Sequence, residues 1–299
     1  MIPAQGMGAE LAKDQSDWLS IGIPAYLQDD GADKAGDSHS LITPTYEIDR
    51  FSVRGGRINP SFGLAWDKAM GFYGTNMATD PGSSGLLSLS AGLKFDPPGW
   101  GSHTLSGRTF VYDGATQRNS FVIRDRDTAD RHLDGSDNGD LPTSFNLVLE
   151  GSKLPVLPDL TYHLALINQP KAGTVAEKET GFAAGLTTKF DLGQGLSISP
   201  MFEAARLNDP VGQKNRESQY WSTSMLTEWR NWNLGLTYAQ RDAEDPLASA
   251  ISGYRAQASI GYVFDFGLSA DLGWYRLKDE EDSTDQFGFR FTYPLRLGR

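Results

Sequence analysis

The sequence predicts an all-β protein, a transmembrane antiparallel β-barrel of about fourteen strands with short periplasmic turns and long extracellular loops. Three observations lead there. Apolar and polar residues alternate with period two through the C-terminal half; the apolar members are bulky and aromatic while the polar members are small or charged; and short links alternate with long ones.

Composition agrees once alternation is allowed for. Only 39% of the 299 residues are hydrophobic, and mean hydropathy is -0.41. No apolar run approaches the ~20 residues of a membrane helix, so a helical membrane protein is excluded. A barrel turns only every second residue to lipid, which keeps its average hydropathy low. The lack of Cys fits exported and cytosolic chains alike. A net charge of -11 argues against nucleic acid as a partner. Asp29–Asp33, Arg124–Asp140 and Asp279–Asp282 hold much of the acidity and lie between strand candidates, as solvated loops do. Met1–Asp14 has no secretory-signal pattern. Residues 1–16 are expected to be an N-terminal periplasmic segment, and 17–299 one barrel domain.

Strands are expected at 17–27, 40–48, 51–59, 86–95, 102–112, 143–151, 159–168, 181–190, 195–207, 219–229, 232–241, 253–264, 267–277 and 284–293. The first three are the least regular, since Pro24 and Pro44 interrupt two of them. Twelve or sixteen strands stay open. The clearest alternation sets Tyr254, Ala256, Ala258, Ile260, Tyr262 and Phe264 against Arg255, Gln257, Ser259, Gly261 and Val263. Segments 232–239, 268–275 and 286–293 behave likewise. A soluble barrel would pack the bulky face inside. Aromatic residues at the ends of that face, opposite a small and charged one, instead suit lipid outside and a polar lumen.

On that orientation the lumen-lining candidates are Arg54, Lys94, Arg108, Glu150, Lys189, Glu203, Glu228, Arg255, Asp271 and Arg290, with Glu47 and His163 beside them. Mixed signs either set a transverse field across a wide lumen or pair and fill a narrow one. Small Gly, Ser and Thr on the C-terminal strands favour an open lumen, whereas Phe110, Met201 and Tyr220 narrow it. Residues 59–75 are aromatic and glycine-rich for a surface loop. Phe62, Trp66, Asp67, Phe72 and Tyr73 are therefore candidates for a pore constriction folded inward. The alternative puts the aromatics on the rim or against a neighbouring subunit, with Asp67 and Lys68 solvated.

Gln286-Phe287-Gly288-Phe289-Arg290-Phe291-Thr292-Tyr293 resembles the C-terminal signal of outer-membrane barrels, although the tail 294–299 follows it. Gly56–Asp67 together with Gly71–Thr75 looks like a segment of porin-like outer-membrane proteins of Gram-negative bacteria, in which a strand delivers a loop that can enter the lumen. The resemblance implies a bacterial outer-membrane location and diffusion of small polar solutes. It also implies outer-membrane lipid and lipopolysaccharide as surroundings, the barrel-assembly machinery as a partner of the last strand, and room for an oligomer. The second expectation is a closed structural or partner-binding barrel that works through its extracellular loops.

Other chemistry finds little footing. Asp134, Asp137 and Asp140 begin like an oxygen-ligand calcium loop, with Gly139 sixth, but Phe145 stands where the bidentate Glu belongs. They make a weak metal candidate beside the reading as a flexible acidic loop. The four His lie in no nucleophile motif, and no phosphate-binding loop is present. Neither an enzyme nor a cofactor is expected.

Overall fold

The computed structural model describes residues 7–8, 19–22, 24–25, 43–57, 62–73, 87–111, 144–169, 177–210, 214–244, 251–279 and 282–293. The N-terminal strands are β1 (Met7–Gly8), β2 (Leu19–Gly22), β3 (Pro24–Ala25), β4 (Thr43–Ile48) and β5 (Phe51–Arg57). A single turn of helix, α1 (Ala65–Lys68), precedes β6 (Leu87–Phe95) and β7 (Ser102–Val111). Next come β8 (Ser144–Ser152), β9 (Thr161–Gln169), β10 (Glu179–Thr187) and the short β11 (Phe190–Gly193). The long strands β12 (Leu196–Asn208), β13 (Glu217–Trp229), β14 (Trp232–Glu244), β15 (Ile251–Val263), β16 (Ser269–Asp279) and β17 (Asp282–Thr292) complete the wall.

Fourteen strands form one path in which each pairs antiparallel with its neighbour, from β2 through β4–β10 and β12–β17, while β11 extends the turn into β12. The expected strand count and nearly all expected segments are present. The first segment differs. Instead of one strand over 17–27, Leu19–Gly22 pairs with β4, and Pro24–Ala25 pairs with Met7–Gly8 in a separate two-stranded sheet. Proline cannot donate to a ladder; Pro24 lies off the main sheet, whereas Pro44 keeps its place opposite Ile21.

Burial is inverted relative to a soluble protein. Ser90, Asn146, His163, Glu203, Ser222, Gln257 and Ser259 are buried, while Leu89, Leu147, Leu166, Phe202, Leu234, Ile260 and Leu272 stand exposed on the opposite face. Side chains alternate across a strand, so each pair of neighbours divides between a polar interior and an apolar exterior. Water on both sides would make that arrangement costly. Lipid outside makes it favourable.

The outer face also shows where the apolar band ends. On β13 and β14, Trp221 and Trp229, and Tyr238 and Trp232, bound the apolar stretch. Beyond Tyr238, toward the long-loop end, β14 continues outward with Gln240, Asp242 and Glu244. These form polar links such as Gln240 to Asp242, and Arg206 on β12 pairs with Glu217 on β13. At the opposite end the turns are short. Arg230–Asn231 joins β13 to β14, and Asn231 reaches Asp265 in the adjacent turn at 3.2 Å. The last hairpin breaks the expected asymmetry, because two residues connect Asp279 to Asp282 at the long-loop end.

Pairing is described from β2 to β17. Phe287 and Phe289 are 77% and 75% exposed because β17 has a described neighbour on one side, β16. Hydrocarbon tolerates no open edge, so this is the edge that closure of the wall has to cover.

Candidate functional site

Residues 62–73 lie against the inner face, and their contacts run from β7 round to β17. Phe62 is fully buried among Phe110, Val148, Ala165, Ile167, Ala183, Ala205 and Leu207. Leu64, Ala65 and Ala69 pack with Met201. This apolar interior around Phe110 and Met201 is formed by the loop together with the wall, and Tyr220 packs against its first part.

Polar contacts fix both ends of the segment. At the first end, His163 Nε2 lies 3.2 Å from the Phe62 carbonyl, and His163 Nδ1 lies 3.3 Å from Glu150 Oε1. Glu203 Oε2 accepts the Ala65 N–H at 2.9 Å. It thereby satisfies an amide at the start of α1 that the short helix cannot pair itself. A buried hydrogen bond to a charged acceptor contributes about 1.5–3 kcal/mol. At the second end, Thr237 Oγ1 donates to the Met70 carbonyl at 2.7 Å, Ser259 Oγ accepts the Phe72 N–H at 3.1 Å, and Gln257 Oε1 accepts the Tyr73 N–H at 2.9 Å. The two ends differ in chemistry. The first is held by ionisable groups, the second by neutral ones.

Glycines make the seat. Gly235, Ser259, Gly273 and Gly288 occupy one cross-strand row over β14–β17. A Cβ on Gly235 would meet the Gly71 backbone at 2.6 Å, and one on Gly273 would meet the Phe72 ring at 2.6 Å. On β10, a Cβ at Gly185 would lie 2.8 Å from that of Leu64. Gly71 itself has φ +104, which only glycine adopts without strain. The Arg290 guanidinium sits 5.1 Å from the centre of the Phe72 ring and is held by Asp271 at 3.2 Å. Tyr73 packs against Tyr275 with ring centres 5.3 Å apart. Burial pushes the Tyr73 hydroxyl above its usual range, with Tyr275 adding to the shift.

All ten lumen-lining candidates belong to the inner face or its rim. Arg54, Ser90, Arg108 and Asn146 form one inward row across β5–β8. Lys94, Thr104, Glu150, His163, Gly185 and Glu203 form another, which continues through Ser222 and Ala239 to Arg255. Asp271 pairs with Arg290. Lys189, in the turn after β10, pairs with Glu228 at 2.7 Å, and that hydrogen bond holds its pKa above the usual lysine range. Among the constriction candidates, Phe62, Phe72 and Tyr73 are brought onto the inner wall. Trp66 and Asp67 lie on α1, with side chains outside the described residues. Asp134, Asp137 and Asp140 also lie outside them, and no group of metal-ligating side chains occurs among the described residues.

Sequence reasoning missed the seat. The Gly and Ser residues of the C-terminal strands were expected to leave the lumen open, but Gly235, Ser259, Gly273 and Gly288 are where the loop docks. The signal was available, because glycine inside a strand marks close approach of another chain segment.

No protein-family model and no curated protein matches the chain. Solved structures do. OmpT of Vibrio cholerae lacking its loop L8 superposes with TM-score 0.56 at 11% identity, over 95% of this chain and 90% of that one. The outer-membrane channel DcaP of Acinetobacter baumannii gives TM-score 0.54 at 11% identity, over 91% and 78%. An anion-selective porin from Comamonas acidovorans gives 0.53 at 12%, over 90% and 76%. With its inverted burial, its fourteen-strand meander and these structural likenesses, the chain has the fold of a porin-like outer-membrane β-barrel.

Proposed function

We propose that the protein is an outer-membrane channel through which small polar solutes diffuse, that residues 62–73 set its narrowest point, and that anions pass more readily than cations. The observation that carries this reading is the inverted burial, which turns a polar, charged surface inward and an apolar one outward. Glu150, Glu203, Glu228 and Asp271 each have a described partner in His163, the Ala65 amide, Lys189 and Arg290. On β4–β7 the inward charges are Glu47, Arg54, Lys94 and Arg108, a net positive set, and a positive wall raises the local concentration of anions. The likeness to an anion-selective porin supports the same reading.

The combined variant R54Q/K94Q/R108Q should shift the reversal potential in a salt gradient toward cations while conductance persists. An unchanged reversal potential would remove the anion preference. Passage would be physical, with no chemical step. The second reading, a closed barrel acting through its extracellular loops, draws on the apolar cluster around Phe62; conductance of the intact chain decides between them.

In this reading the apolar band faces lipid and the polar strand ends face lipopolysaccharide. The exposed aromatics of β17 and Tyr293 engage the assembly machinery. F291A/Y293A should then lower the amount of heat-modifiable, folded barrel in the outer membrane. Normal assembly of that variant would mean the last strand carries no signal.

A further inference from the structure

We propose that His163 and Glu150 form a protonation-dependent latch which holds the first end of the 62–73 segment against the wall and releases it as pH rises. The proposal rests on the channel reading above.

Its basis is a proton count. The two nitrogens of the buried His163 ring face acceptors on opposite sides, a backbone carbonyl (Phe62, 3.2 Å) and a carboxylate (Glu150, 3.3 Å). A neutral imidazole has one N–H and one bare lone pair. With a neutral ring and an ionised Glu150, one of the two contacts sets a lone pair against an acceptor. Both contacts hold together only when the pair carries one more proton, on the ring or shared with the carboxylate.

The surrounding groups do not substitute for that proton. On α1, Lys68 is exposed, and its charge acts on Glu150. On β12, Glu203 lies in the same cross-strand row beyond Gly185, and its Oε2 takes the Ala65 amide. On β10, Gly185 faces the ring position without a side chain. When the proton leaves, a ring N–H is held more strongly by the charged carboxylate than by a neutral carbonyl. The contact given up is therefore the one to Phe62.

The sign follows directly. The docked arrangement binds the extra proton and the released one does not need it. Docking is thus fully supported at low pH and weakens as pH rises through the titration of the pair. The second end is held by hydrogen bonds to the neutral Thr237, Gln257 and Ser259 and by Phe72 and Tyr73 against Arg290 and Tyr275; no histidine is among these groups, and this end stays in place. The segment would loosen from one end.

The test is single-channel recording of the intact protein at about pH 5 and about pH 8, the interval in which imidazole changes charge. Conductance or open-channel noise should rise severalfold at the higher pH, and H163Q should respond the same at both. A pH response that persists in H163Q overturns the latch. A meta-fluorophenylalanine at Phe62 reads docking without current: its fluorine resonance should move toward the solvent position at the higher pH. A conducting channel whose fluorine signal does not change refutes the latch and leaves the channel reading standing. A fluorine signal that moves in a protein carrying no current supports the latch and removes the channel reading.

Discussion

Deleting residues 62–73 from an otherwise intact barrel raises single-channel conductance severalfold and weakens discrimination between solutes. The expectation follows from where the segment lies. Its contacts reach inward-facing residues from His163 on β9 to Gly288 on β17, so it occupies space that the bare wall would leave to water. The wall should tolerate the loss, because its ladder of strand pairs does not include residues 62–73. The deletion exposes Phe110, Val148, Ile167 and Leu207, an apolar patch that Phe62 now covers. Some loss of stability should accompany the gain in conductance. Planar-bilayer recordings give the answer. Unchanged conductance would place the segment outside the solute path. An intact protein that is silent, opened by the deletion, would make the segment a plug and favour the closed-barrel reading.

A single positive charge on the outer face should be the most damaging point substitution. Ala258 on β15 stands midway between Tyr254 and Tyr262, the outward aromatics of its strand, and pairs with Leu236 and Trp274. Ala258→Arg should cost about 2–4 kcal/mol at the centre of the hydrocarbon. Ile260→Arg, one outward position nearer the periplasmic girdle, should cost somewhat less. Ser106→Arg, on the inner face of β7, should be close to neutral. Equilibrium unfolding in lipid measures all three. Equal costs at Ala258 and Ser106 would contradict the assigned orientation. Ser259, an inner-face position, is not a neutral comparison, because it accepts the Phe72 amide and is 6% exposed.

The wall was legible in the sequence because its rule is local. A side chain on a strand faces lipid or lumen by parity, so Ile260 and Ser259 declare their faces without reference to any distant residue. The same parity puts Glu203 and Arg290 on the inner face. The interior was harder to read, for it depends on contacts between residues far apart. Glu203 was assigned to the lumen, yet nothing near it in sequence says that it takes the Ala65 amide, 138 residues away. Gly273 and Gly288 were read as small and therefore open, when their smallness is the imprint of Phe72. The N-terminal boundary failed for a local reason. Pro24 was noted as an interruption, but only the pairing of Pro24–Ala25 with Met7–Gly8 shows where the chain goes instead.

The separation between the segment and its seat also orders events while the barrel is built. Residues 62–73 follow the third strand of the path, whereas the slot for Phe72 is cut by Gly273 and Gly288 on the last two. Until β16 and β17 have paired, that slot does not exist, and Phe72 has no place to rest. Bringing together groups so far apart in the chain carries a large loop-closure cost when it is attempted early; with the wall already formed, most of that cost has been met. On the proposed reading, seating of the 71–73 end, and with it the full narrowing of the passage, follows the pairing of the last two strands.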